Sequence, residues 1–168
     1  RVLGPATMVV SLQNGVDNAW RLSARVPNPV VPAAVYVSAE MSGPGRLRHN
    51  GGGSIVAGRP LQGGVTADAP GVVLETLAAH FAAAGVPCRI SDDIRVDLWT
   101  KLTANCAYNA ISALAQLRYR HLVAHEGTRD VMRMVIDENA AVAAAEGVPV
   151  TVEALALAVQ RIVEAMPE

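Results

Sequence analysis

The sequence predicts an α/β segment that closes a β-sheet, followed by an all-α segment. Three observations lead to that reading. Short β-branched apolar runs bounded by Gly, Asn and Pro fill the first third of the chain. Past the loop around Gly63-Gly64 the composition shifts toward Ala and Leu, and helical signals dominate from there. Within that second stretch, glycines and capping residues recur where helix ends should fall. The boundary is placed near residue 65, giving segments 1–65 and 66–168.

Thr7–Leu12 (TMVVSL), closed by Gln13-Asn14-Gly15, reads as a buried strand, and Val16–Val26 as a helix. Val30–Ala39 is a second strand. Ser42-Gly43-Pro44-Gly45 and Asn50-Gly51-Gly52-Gly53 then punctuate two shorter strands, Arg46–His49 and Ser54–Ala57, with the glycine triplet in a hairpin turn. Helices are expected at about 70–84, 92–117, 127–146 and 151–165. Gly85 and Gly147 would stop the first and third of these, and Ser91 and Thr151 would cap the second and fourth. No internal repeat or low-complexity tract is present.

Composition narrows the function classes. With 51% hydrophobic residues, 17% charged residues and a net charge of −1, the chain resembles neither a disordered tail nor a nucleic-acid-binding domain. A small-molecule partner is the expectation, with no nucleic acid. No apolar run reaches the ~18 residues that cross a bilayer, and the opening residues lack the layout of a signal peptide, so no membrane and a cytoplasmic location are expected. The chain opens on Arg1 and leads straight into an apolar strand, as if begun in mid-fold. Cys88 and Cys106 have no metal-ligand spacing and read as ordinary small apolar residues. His49, His80, His121 and His125 have no partner acid or Cys at such spacing and read as structural or solvated, so no metal is expected.

The expected helix from Asp92 carries the candidate chemistry. At about 100° per residue, Lys101, Asn105 and Asn109 fall at about 0°, 40° and 80°, a single stripe. Ile94 and Leu98 share that face, which continues through Leu102 toward Cys106 and Trp99; only an arc near Asp93, Asp97 and Thr100 looks wet. A helix apolar nearly all round is usually buried, so its polar groups need partners from protein, water or ligand. Lys101 is the only lysine beside thirteen arginines. A lysine in a partly buried site can release its proton near neutrality, whereas an arginine stays protonated. A plainer reading stays open: Asp97 and Lys101, spaced i, i+4, form an exposed ion pair worth about 0.3–0.5 kcal/mol, and the two asparagines are core or interface amides.

Taken together, Ser91-Asp92-Asp93-Ile94-Arg95, Leu98-Trp99, Lys101-Leu102, Asn105, Asn109 and Ala113-Leu114 resemble the signature of the ketopantoate reductase family. Leu12-Gln13-Asn14-Gly15 at a strand end, His49-Asn50-Gly51 in a hairpin, and Ala83, Gly85 and Val86 before a short strand follow in the same order. The resemblance implies the closing part of a Rossmann-type dinucleotide-binding domain, then a helical substrate and dimerisation domain similar to the C-terminal domain of 6-phosphogluconate dehydrogenase. It also implies NADPH-dependent reduction of 2-dehydropantoate, a keto acid, to pantoate in pantothenate and coenzyme A biosynthesis. Lys101 would be the general acid, Asn105 and Asn109 would bind the substrate's carboxylate and hydroxyl groups, and Asn14 would sit beside the nicotinamide end of the cofactor. The Ala-rich helices suit packing between domains or subunits, and a homodimer is the expectation.

The sequence departs from the family pattern in three places. No G-x-G-x-x-G follows a strand, so the nucleotide-binding motif is expected to be missing. The family's Ser-rich segment and Glu beyond Pro167-Glu168 are expected to be missing as well. Arg118-Tyr119-Arg120-His121 stands where many members carry Asn-Gly. Taken alone, this stretch is expected to be inactive. Two alternatives remain: a non-catalytic helical assembly module, or a related reductase of another 2-keto or 3-hydroxy acid.

Overall fold

A computed structural model of the protein describes residues 3–61 and 70–165. It divides into two compact units, Arg1–Asp97 and Leu98–Glu168.

The first unit is built on four strands in the order β1-β2-β3-β4: β1 Val9–Ser11, β2 Val30–Gly43, β3 Arg46–Ala57 and β4 Cys88–Ile90. β1 lies parallel to β2 and is joined to it through helix α1 (Asn18–Ser23). β2 and β3 form an antiparallel hairpin. β3 runs parallel to β4, and helix α2 (Pro70–Ala83) lies between them in the chain. Parallel neighbours need a crossover, and a helix is its usual form. Val31, Ala57, Leu74 and Leu77 make the buried centre of this unit, with Met8, Val10, Phe81, Cys88 and Ile90 packed against them.

The glycine triplet does not form the hairpin turn. That turn falls at residues 43–46, where Gly45 takes φ +68. Asn50-Gly51-Gly52-Gly53 instead runs inside β3, one strand of 12 residues rather than two short ones. The register slips between Tyr36 and Val37 and again between Ser38 and Ala39, opposite these glycines. A Cβ on Gly52 would stand 2.7 Å from the Tyr36 carbonyl oxygen, and its φ is +73, so the bulge needs a glycine there.

The expected boundary near residue 65 and the Gly63-Gly64 loop lie outside the described residues. The compact units divide later in the chain, after Asp97. The cause is β4, which pairs with β3 through Ile55–Cys88, Val56–Arg89 and Ala57–Ile90, while the Ser91 N–H donates to the Ala57 carbonyl at 2.8 Å. These bonds keep the start of the next helix with the sheet.

That helix, α3 (Ile94–Ala115), is continuous through the division. The second unit holds its remainder and α4 (Tyr119–Leu122), α5 (Glu126–Ala145) and α6 (Val152–Ala165). α4 has no counterpart among the expected elements, and at four residues it is too short to leave a periodic pattern. Ala104, Ala107 and Tyr108 of α3 meet Leu122, Met132, Ile136, Ala140, Leu155 and Val159 in the core. Helix ends follow the expected glycines. Gly85 and Gly147 take φ +76 and +70, and the N–H of Val86 and Val148 return to Phe81 and Ala143 at 2.8 and 2.9 Å, the Schellman closure. Thr151 caps α6, accepting the Ala154 N–H on Oγ1 at 3.2 Å.

Ser91 does not cap α3. The cap is Asp93, whose Oδ1 accepts the Arg95 N–H at 3.0 Å. Ser91 is held by β4 two residues too early, and its hydroxyl donates to the Asp97 carboxylate instead.

Tyr108 is buried and its hydroxyl donates to the Val159 carbonyl at 3.1 Å. Burial, and secondarily the neighbouring Tyr119, push its phenol up to about 12 from 10.0. The fold's preference for the neutral phenol is therefore fully present below pH 10.0 and is lost as pH climbs toward about 12. Tyr108→Phe is expected to cost about 1 kcal/mol at pH 7 by deleting the hydrogen bond. Urea unfolding measured from pH 9 upward should then show a shallower alkaline decline than the unsubstituted chain.

Candidate active site

α3 carries the polar stripe at the spacing that the sequence expects. Lys101, Asn105 and Asn109 are all helical and recur every fourth residue, so they rise along one side over about 12 Å. Ile94, Leu98 and Trp99 are buried around the start of that stripe. Lys101 and Asn105 are half-buried and Asn109 is exposed. Burial lowers the Lys101 ammonium below its ordinary 10.5, which makes the side chain a readier proton donor. The Asn109 carbonyl end is held, its Oδ1 accepting the Tyr119 hydroxyl at 2.7 Å.

The later turns of α3 are wetter than their apolar composition suggests. Cys106, Ala110, Ala113 and Leu114 are exposed, Leu114 at 88%. Asp97, expected in a solvated arc, is instead only 20% exposed and tied to β4. Arg89 donates to its Oδ1 at 2.6 Å while Ser91 holds its other oxygen. The half-buried Tyr36 phenol beside this cluster is pushed up, first by burial, next by the Asp97 carboxylate, and Arg89 opposes them. Sequence reasoning did not assign this clamp, although Arg89, Ser91 and Asp97 all stand near the signature; the strand that brings Arg89 to Asp97 is three residues long.

Asn14 belongs to the first unit. It lies exposed just beyond the carboxyl end of β1, and its backbone carbonyl accepts Asn18 Nδ2 at 2.7 Å. Gly15 follows with φ +104, which keeps the turn tight. In open α/β sheets, ligands bind outside the carboxyl ends of strands, and this turn occupies such a position.

Among the described residues, no group of three or more His, Cys, Asp or Glu could hold a metal ion. His49, His80, His121 and His125 are all exposed. Among the same residues, no helix is long and apolar enough to cross a membrane. A groove of about 420 Å³ in the second unit runs between α5 and α6, with Met132, Ile136, Val159 and Val163 in its wall, and Lys101, Asn105 and Asn109 take no part in it.

The family model described as "Ketopantoate reductase PanE/ApbA" matches residues 1–62, and that described as its C terminal matches residues 93–168. The chain belongs to the ketopantoate reductase family. A 2-dehydropantoate 2-reductase of Mesorhizobium japonicum is 32% identical over 168 residues, covering 88% of this chain and 50% of the relative. That of Caulobacter vibrioides is 33% identical over 147 residues, covering 87% and 46%. The crystal structure of a PanE/ApbA family ketopantoate reductase from Ralstonia eutropha superimposes with a TM-score of 0.80 at 48% identity, covering 98% of this chain and 51% of that one. D-mandelate dehydrogenase in complex with NADH, 23% identical with a TM-score of 0.78, shares the fold over 92% of this chain and 50% of its own. The chain spans about half the length of the curated relatives it matches. Its fold is that of the ketopantoate reductases: the closing part of a Rossmann-type sheet, then a helical domain similar to the C-terminal domain of 6-phosphogluconate dehydrogenase.

Proposed function

We propose that the gene product carrying this chain reduces 2-dehydropantoate to pantoate with NADPH, the step that feeds pantothenate and coenzyme A synthesis, and does so in the cytoplasm. The observation that carries the proposal is Lys101, the sole lysine, half-buried with a lowered proton affinity on the helix that the reductase family model covers. Membership of the family supports the substrate, since the relatives above are 2-dehydropantoate 2-reductases.

In this reading residues 1–65 are the closing part of the dinucleotide-binding domain and 66–168 belong to the helical substrate domain. The residues present fit a nicotinamide end at the turn after β1, where Asn14 is exposed at a strand's carboxyl terminus. Among the described residues, Gly51-Gly52-Gly53 does not form a pyrophosphate cradle, because it is a strand bulge rather than a strand-to-helix turn. When bound, NADPH supplies the hydride that adds to the 2-keto carbon.

As that carbon is reduced, negative charge gathers on the carbonyl oxygen. Lys101 Nζ gives its proton to this oxygen, completing the alcohol, and recovers a proton from solvent. Asn105 and Asn109 donate to the carboxylate and hydroxyl groups of the keto acid and hold it in register with Lys101. Donors fixed on a helix need not reorganise as charge develops, and in a water-poor site they stabilise it more than water does.

A homodimer is part of the proposal. Val131, Met134 and Val142 of α5 and Leu157 of α6 are exposed apolar residues that suit such packing; light scattering of the purified protein tests it. For the activity, NADPH oxidation is followed after 2-dehydropantoate is added to the purified gene product. Turnover with NADPH well above that with NADH is expected. Turnover only with another 2-keto acid would overturn the substrate, and no turnover with any keto acid would overturn the reductase reading.

A further inference from the structure

Tyr119 has no part in the mechanism above. It stands on α4, ten residues beyond Asn109, and donates its hydroxyl to Asn109 Oδ1 at 2.7 Å. Its ring is stacked on that of Tyr108, with centroids 4.5 Å apart and planes 15° from parallel. Tyr108 is itself buried and tied through its own hydroxyl to the Val159 carbonyl of α6 at 3.1 Å. Fixed groups therefore run from α6 through α3 to α4 and end on the carboxamide of Asn109.

The two ends of a carboxamide are nearly the same shape, so a half-turn of the group exchanges donor for acceptor at little steric cost. An amide that is to meet a carboxylate must present its N–H₂ end. A hydroxyl that donates to Oδ1 claims the carbonyl end, and leaves Nδ2 to donate outward from an exposed position. From this geometry we infer that Tyr119 is a positioning residue: pinned against Tyr108, it sets the Asn109 carboxamide with the amino end available to an anionic keto acid. Burial raises the Tyr119 phenol, so it remains a donor through the neutral range. The inference rests on the substrate-binding role proposed for Asn109.

Tyr119→Phe keeps the ring and its stack and removes only the hydroxyl. In the gene product carrying this chain, KM for the keto acid is expected to rise about five- to tenfold, the size of one neutral hydrogen bond. kcat should stay within about twofold, because the amide is held alike in ground and transition states. In an Asn109→Ala background the same substitution should add nothing. An unchanged KM for Tyr119→Phe, or an equal rise in both backgrounds, overturns the inference.

A second measurement does not depend on turnover. The side-chain ¹⁵N order parameter of Asn109 should be near a rigid ~0.85 in the unsubstituted protein and fall below about 0.6 in Tyr119→Phe. A low value in the unsubstituted protein overturns the positioning role even where the variant fails to fold. If the unsubstituted protein turns over no keto acid, the reductase reading falls on its own, and these order parameters still decide whether Tyr119 fixes the amide.

Discussion

Lys101→Ala is expected to lower kcat at least a hundredfold in the gene product that carries this chain, the low end of what general-acid catalysis contributes. The hydride acceptor becomes an alkoxide unless a proton arrives with it, and Lys101 is the titratable cation on the polar side of α3. Lys101→Arg should be nearly as poor, because a guanidinium keeps the positive charge but does not surrender a proton at working pH. The pH dependence separates the two roles. A general acid works only while protonated, so kcat should fall as pH rises through the Lys101 pKa, which burial places below the usual 10.5. That alkaline limb should disappear from the residual activity of Lys101→Ala. A near-normal rate for Lys101→Ala, measured by single-turnover NADPH oxidation, would remove the proton-donor assignment.

Gly58→Ala is expected to destabilise the fold by about 1–3 kcal/mol, the range for forcing an extra group into a packed interior. Gly58 is buried, follows β3, and donates its N–H to the Pro32 carbonyl at 2.8 Å. A Cβ there would collide with Ile94 Cβ and crowd its Cγ2 and Cγ1. These atoms sit on the first residue of α3, which cannot yield without moving the helix. In thermal melts this should appear as a loss of about 3–10 °C for a chain of this size. Trimming Ile94 to Ala should restore little, because the nearest atom is the Cβ that Ala retains. Since α3 also carries Lys101, a displaced start should lower kcat in the surviving protein; an unchanged melting temperature would show that the sheet and helix yield freely there.

The sequence was most legible where one local force acts alone. Gly85, Gly147 and Thr151 end or begin helices as expected because the left-handed turn and the N-cap are decided within a few residues. The Lys101, Asn105 and Asn109 stripe followed from helical geometry once α3 was recognised. It was less legible where distant partners compete. Ser91 has the right chemistry for a cap, yet β4 and Asp97 claim it and leave the cap to Asp93. Gly51-Gly52-Gly53 looks like a turn, but a long partner strand absorbs it as a bulge. Tyr119 could not be singled out, since its meeting with Asn109 depends on where α4 docks.

By itself, then, the sequence determined the succession of a sheet-forming segment and a helical one, the glycine-stopped ends of α2 and α5, the cap of α6 and which polar residues share a side of α3. These are set by periodicity, by backbone conformations open to glycine and by caps, all of them interactions between residues near in the chain. Only the tertiary structure decided which side of α3 is buried, where the compact units divide, and how Arg89, Ser91 and Asp97 or Tyr108, Tyr119 and Asn109 come together. Those outcomes depend on loop closures and competing hydrogen bonds between distant segments, and the winner is settled only when the elements pack.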